Sequence, residues 1–176
     1  EIKVPSLEAI TLDNMGIAFS SSENNEVALE RHQLALSINE RIGSLVGRAS
    51  SLNNIGMVLS EMKFYDEALK SLNQSLNLKK QIGREEETST TLNNLGAVYG
   101  NMAADRQQPE LFEKALTYLE EALDISKRLG YPEHTALTMY NLGMVQKARH
   151  KCIEAIRLIE QAVSILEGIS PTYLNL

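Results

Sequence analysis

The sequence predicts an all-α fold, a solenoid of four antiparallel helix pairs, and three observations carry that expectation. First, Leu-Asn-Asn-Ile-Gly at 52–56 recurs as Leu-Asn-Asn-Leu-Gly at 92–96, with Leu-Asp-Asn-Met-Gly at 12–16 and Met-Tyr-Asn-Leu-Gly at 139–143. Gly16, Gly56, Gly96 and Gly143 are thereby spaced 40, 40 and 47 residues apart, and self-similarity at such a period marks stacked repeats. Second, apolar residues around each glycine fall at three-four spacing, which puts one stripe on one helix face. Third, four prolines, ten glycines and no tryptophan in 176 residues suit helices better than a turn-rich β-protein.

A second landmark tests the period. Ala28, Ala68 and Ala155 each follow their glycine by 12 residues, whereas Ala115 follows Gly96 by 19, so seven extra residues sit in the third copy. Beyond the alanine the register returns: Ala35, Ser75, Ala122 and Ala162 lie seven later, and Ile42, Ile82, Leu129 and Ile169 fourteen later.

The elements follow in order. Leu12, Met15 and Phe19 place the first helix at 6–22, and the polar turn from Ser22 to Glu26 leads to a second at 26–42, stopped by Gly43. Leu52, Ile55 and Leu59 give a third at 46–61; Leu69, Leu72, Leu76 and Ile82 give a fourth at 65–82, stopped by Gly83. Glu85, Glu86 and Glu87 suit the positive start of a fifth helix, at 86–103 with Leu92, Leu95 and Tyr99. Leu116, Leu119, Leu123 and Leu129 give a sixth at 110–129, stopped by Gly130. Met139 and Leu142, with Gln146 breaking the stripe, give a seventh at 133–148, and the eighth spans 152–168 with Ser170 where glycine stands elsewhere. A glycine past the last apolar residue ends a helix because it accepts the left-handed conformation cheaply. A glycine mid-helix costs about 1 kcal/mol against alanine, so Gly16, Gly56, Gly96 and Gly143 are expected to let the second helix of each pair approach against its alanine. No pair buries its stripe alone, so the pairs must stack. One array is expected over 6–170, with repeats at 6–45, 46–85, 86–132 and 133–170; 1–5 and 171–176 read as ends cut from a longer chain, since Glu1 is no initiator and the next repeat would start at Leu176.

Composition narrows the function classes. Hydrophobic residues at 43% and charged ones at 23% are ordinary for a soluble protein, and no apolar run approaches the roughly 18 residues of a membrane helix. The net charge of -6 disfavours nucleic acid as a partner. A single cysteine, Cys152, excludes an intramolecular disulfide and fits a reducing, cytoplasmic setting. Catalysis finds little support. His32 holds the column of Leu72, Leu119 and Ile159, which reads as a partly buried core histidine; His134 and His150 fall on different surfaces; Cys152 has no base or second thiol at metal-ligand spacing. No cofactor is indicated, and an enzyme is not expected.

These columns resemble the tetratricopeptide repeat: a large apolar residue, Leu-Gly three and four later, an aromatic three further, then alanine, a bulky residue and a small one, as in Leu92, Leu95, Gly96, Tyr99, Ala115, Leu119 and Ala122. The likeness covers about 6–170. It departs from the common form in having Leu or Met at the first position, no closing proline and a period of 40, which is similar to the longer-helix repeats of kinesin light chains and of spindle-orientation and G-protein-signalling adaptors. The resemblance implies a right-handed superhelical solenoid whose first helices line a concave groove that binds partner peptides.

Candidate groove residues follow from the columns around each glycine. Two before it stand Asn14, Asn54, Asn94 and Asn141. Asparagine is a mediocre helix former, and an amide both donates and accepts, so such a ladder could hold an extended peptide main chain, which the resemblance also implies; alternatively each amide bridges neighbouring helices. Three before it are Asp13, Asn53, Asn93 and Tyr140; one after, Ile17, Met57, Ala97 and Met144; four after, Ser20, Ser60, Gly100 and Lys147. The groove is then polar but largely uncharged, with adaptable methionines that could equally be inter-repeat packing. Asp13 and Ile17 break the basic pattern of repeats that clamp heat-shock C-termini. Lys147, Arg149, His150 and Lys151 form a basic cluster at a turn, either solvated or receiving an acidic segment of a partner. The insertion near Ala103 to Pro109 equals about two helical turns, so it lengthens helices or projects as a loop. The expected function is a protein-interaction scaffold capturing a partner peptide, with no nucleic acid and no membrane insertion. The alternatives are a spacer or self-association module packing against further repeats, or a sensor array regulating a larger signalling protein or enzyme.

Overall fold

The computed structural model describes residues 4–169. Among the described residues there are eight helices and no strand: α1 Pro5–Ser20, α2 Asn25–Arg41, α3 Leu45–Glu61, α4 Tyr65–Gln81, α5 Glu85–Asp105, α6 Leu111–Leu129, α7 Pro132–Ala148 and α8 Cys152–Ile169. The fold is an all-α helical repeat, and each boundary falls within two residues of its expected place. Ser170 and Leu176, which entered the expected pattern, lie outside the described residues.

The chain divides into two compact units, residues 1–84 and 85–176. In the first unit α1 packs on α2, α2 on α3 and α3 on α4, while α1 also touches α3. In the second, α5, α6, α7 and α8 repeat the arrangement, with α5 against α7. Each unit is therefore two helical hairpins whose first helices lie side by side.

Close approach within a hairpin comes from residues with little or no side chain. A Cβ on Gly56 would stand 2.6 Å from Leu72 Cγ, on Gly96 2.5 Å from Leu119 Cγ, and on Gly143 2.7 Å from Ile159 Cγ1. The glycine is thus a socket for the bulky residue four after the alanine, with the alanine contributing its carbonyl oxygen at 3.0 to 3.1 Å, so the helices approach at the alanine as expected and the bulky residue seats beside it. A second crossing pairs small residues seven before the glycine with those seven after the alanine. Ala9 meets Ala35 and Ala136 meets Ala162. In the other two hairpins a hydroxyl takes part: Ser75 Oγ donates to the Ala49 carbonyl at 2.7 Å, and Ser89 Oγ to the Ala122 carbonyl at 2.9 Å. These buried hydroxyls are satisfied locally, so they add little strain.

Second helices end as anticipated, with Gly43, Gly83 and Gly130 at φ of 69°, 71° and 72°. First helices turn differently. Their reversals pass through Glu23, Lys63, Gln107 and His150, all with positive φ, conformations that cost a residue with a Cβ about 1–2 kcal/mol. The insertion does both things foreseen for it: α5 runs on to Asp105, four residues longer than α3, and a five-residue connection, 106–110, reaches α6. Ala103, on the added length of α5, is buried with Phe112, Ala115 and Leu119 in the core of the second unit.

Candidate functional site

Along a first helix, positions one and five after the glycine lie a turn apart on one face, and position two before it lies beside them. Where two first helices run together, these positions form a cleft. Between α1 and α3 the cleft holds about 220 Å³ and is lined by Ile17, Ser20 and Ser21 from α1 and its end, and by Asn54, Met57, Val58 and Glu61 from α3, with His32 also in its wall. Between α5 and α7 a cleft of about 390 Å³ is lined by Ala97, Gly100, Asn101 and Ala104, and by Tyr140, Asn141, Met144, Val145 and Ala148. Seven positions, from five repeat columns, recur: Ile17 matches Ala97, Ser20 Gly100, Ser21 Asn101, Asn54 Asn141, Met57 Met144, Val58 Val145 and Glu61 Ala148.

Not every candidate reaches these clefts. Asn54, Met57, Ser20, Asn141, Tyr140 and Met144 line them. Asn14 and Lys147 are exposed but outside both linings, and Asn53 and Asn94 are half-buried. Asn93 and Ser60, placed on the groove surface by sequence spacing, are instead buried, 4% and 7% exposed. For Asn93 the reason is register: on α5 it faces α7. Asn93 Oδ1 accepts from Asn141 Nδ2 at 3.0 Å, so this amide bridges helices, using one N–H and leaving its Oδ1 to a ligand. Asp13, in the same column, is likewise engaged inward. Its Oδ2 accepts from Ser51 Oγ at 2.7 Å and its Oδ1 is 2.7 Å from His32 Nδ1, while Ser51 Oγ accepts from Asn39 Nδ2 at 3.2 Å.

His32 is 1% exposed and occupies the socket over Gly16, where a Cβ would come within 2.6 Å of the ring. Glu61 carries the carboxyl of this cleft; partial burial raises its pKa above the usual carboxylate range, partly offset by a hydrogen bond from the Asn25 side chain. The first cleft is therefore rich in acceptors, the second mostly apolar. The column five after the glycine, with Glu61 and Asn101, escaped the sequence reading although it lies one turn beyond Met57 and Ala97.

Among the described residues no group of three His, Cys, Asp or Glu could hold a metal ion, and Cys152 is an exposed free thiol. No helix among the described residues is long and apolar enough to cross a membrane.

The family profile for the tetratricopeptide repeat matches residues 47–103 and 97–168. None of the curated proteins matches the chain in sequence. Among solved structures, BtubC (BKLC) from P. vanneervenii is similar with a TM-score of 0.74 at 20% identity, over 95% of this chain and 66% of that one. A Rap protein complexed with Competence and Sporulation Factor gives 0.78 at 20% identity, over 92% and 44%. The TPR-like repeats of a Podosopora anserina protein described as a kinesin light chain give 0.68 at 16% identity, over 93% and 76%. At such identities the likeness is one of fold. The chain spans 66% and 44% of the first two of these structures.

Proposed function

The chain belongs to the tetratricopeptide repeat family, whose arrays are protein–protein interaction scaffolds, and on that premise we propose that it captures an extended or partly helical segment of a partner protein on the face formed by its first helices. The observation that carries this is the recurrence of one cleft, from seven matching positions, in both units.

The clefts differ in what they would take. Glu61, Asn54 and the hydroxyls of Ser20 and Ser21 present acceptors, which suits a lysine or arginine side chain. Met144, Tyr140, Val145 and Ala97 suit an apolar side chain, and methionine adapts to its shape. In each unit the amides two before the glycine, Asn14 and Asn54 or Asn94 and Asn141, serve the main chain of a segment. Each such bond contributes about 1 kcal/mol net, so affinity comes from several contacts together. The Rap protein of the same fold, complexed with Competence and Sporulation Factor, supports ligand capture by such a scaffold. No catalytic step is proposed, and the single cysteine goes with a cytoplasmic setting.

The test starts from a peptide selected on the wild-type protein out of a random display library. Titrated calorimetrically, it should bind Asn54→Ala with Asn94→Ala at least tenfold more weakly, from two bonds of about 1 kcal/mol, and should lose a similar factor with Tyr140→Ala plus Met144→Ala. Unchanged affinity in both folded variants rejects the groove.

A second reading, packing of the array against further repeats or a second copy, is favoured by α8. Ile156 and Leu166 stand there exposed, in the columns that Leu116 and Ser126 hold, buried, in α6. Sedimentation velocity over a hundredfold concentration range separates this reading, because a monomer throughout denies self-association.

A further inference from the structure

Two features stay outside the groove reading: the insertion and the basic turn of the fourth repeat. The structure brings them together. A cavity of about 630 Å³ is walled by Ala103, Ala104 and Pro109 from the insertion, backed by Phe112, and rimmed by Arg149, His150 and Lys151. This volume is in the range of pockets that enclose a ligand. It adjoins the α5–α7 cleft, sharing Ala104 and Ala148 with it, but rests on observations of its own.

The rim carries three basic residues in a chain whose net charge is -6. The single carboxylate in the lining, Glu113, sits on Arg149, with its Oε1 2.6 Å from Nη2. The pair is lopsided: the Arg149 side chain is 20% exposed and that of Glu113 68%. The guanidinium is held in the wall while its counter-ion stands at the solvent edge. Glu113 thus occupies the position an incoming carboxylate would take, and an exposed pair of this kind is weak enough to exchange. Lys151, exposed beside it, adds a second charge without a structural role for its side chain.

We propose that this cavity is a binding site for an acidic segment of a partner protein, which sets one apolar side chain against Ala103, Pro109 and Phe112 and places a flanking carboxylate on Arg149 in place of Glu113. Charge complementarity selects the segment, and the long-range attraction of Lys151 and Arg149 makes its binding salt-sensitive.

The probe is the peptide acetyl-Glu-Asp-Leu-Glu-Asp-amide, followed by amide NMR shifts and calorimetry, against its uncharged counterpart with Gln and Asn. The expected result is saturable binding of the acidic peptide alone, with shifts at Ala104, Arg149 and Lys151. Lys151→Glu and Arg149→Gln should weaken it about tenfold or more, as for loss of a charge-assisted bond. Glu113→Gln, which removes the competitor, should tighten it about two- to fivefold, a gain no folding defect produces. Tyr140→Ala with Met144→Ala should leave it unchanged, which separates this site from the groove. No binding, equal binding of the uncharged peptide, or affinity indifferent to Lys151→Glu overturns the proposal.

Discussion

The clefts of the two units share seven matching positions and differ in floor and charge. In the first, His32 takes the socket over its glycine and brings Asp13, Ser51 and Asn39 into a buried polar chain; in the second, Leu119 fills the same socket over Gly96. The second cleft is also wider, about 390 against 220 Å³, where Ala97 and Gly100 stand in place of Ile17 and Ser20. A repeat fold therefore keeps backbone geometry constant while single columns set the chemistry of each cleft.

Breaking the shared geometry should have the largest effect. Gly96→Ala forces a Cβ to 2.5 Å from Leu119 Cγ and 3.0 Å from the Ala115 carbonyl oxygen, an overpacking expected to destabilise by about 3 kcal/mol. Gly83→Ala, with nothing within 4 Å but φ of 71°, should lose only about 1 kcal/mol, the strain of a left-handed residue. Thermal or denaturant unfolding compares them, and equal losses would contradict the socket.

The next effect separates the units. Asp13→Ala leaves His32 and Ser51 buried without their acceptor and should destabilise by about 2–3 kcal/mol. Asn93→Ala removes one neutral bond from Asn141 and should lose about 1 kcal/mol. Asp13→Asn combined with His32→Leu recreates the pairing of Asn53 with Leu72 in the second repeat, so the double variant should recover most of what each single one loses. Additive losses in that double-mutant cycle would deny the coupling.

Smaller effects sharpen the difference in charge. Glu61→Ala, which copies Ala148, should weaken binding of a peptide with a basic residue about fivefold, a charge-assisted contact partly screened by solvent, and leave an apolar one unaffected. The same carboxyl gives a pH dependence. Its folded pKa is raised by partial burial, so the folded state holds the proton to higher pH than the unfolded chain. The stability it contributes is present below the ordinary carboxylate value and lost as pH rises through the folded one. Glu61→Gln should flatten the stability curve over that window, whereas Asn101→Ala in the matching column should not.

Much of the fold was legible because glycine, alanine and small-residue columns carry both helix period and contact partner. Gly56 and Leu72 are 16 residues apart, and Gly96 and Leu119 are 23 apart, yet their columns align once the insertion is placed. The candidate site was less legible. Asp13 and His32 both break their columns in the first repeat, but a one-dimensional pattern does not say that two exceptions touch. Asn93 was placed on the groove because spacing along one helix fixes a direction without saying where the next first helix, α7, lies. The positive φ of Lys63 and His150 had no sequence mark, since no glycine stands there. The column of Glu61 and Asn101 was within reach, one turn beyond residues already singled out.

The central claim is that a partner segment lies across the first helices. The most direct test is a methyl NMR titration of the display-selected peptide into the wild-type protein. The account predicts shifts at the methyls of Ile17, Met57 and Met144, which line the two clefts. Shifts confined to Ile153, Ile156 and Val163, exposed on α8, with the cleft methyls unmoved, would contradict it.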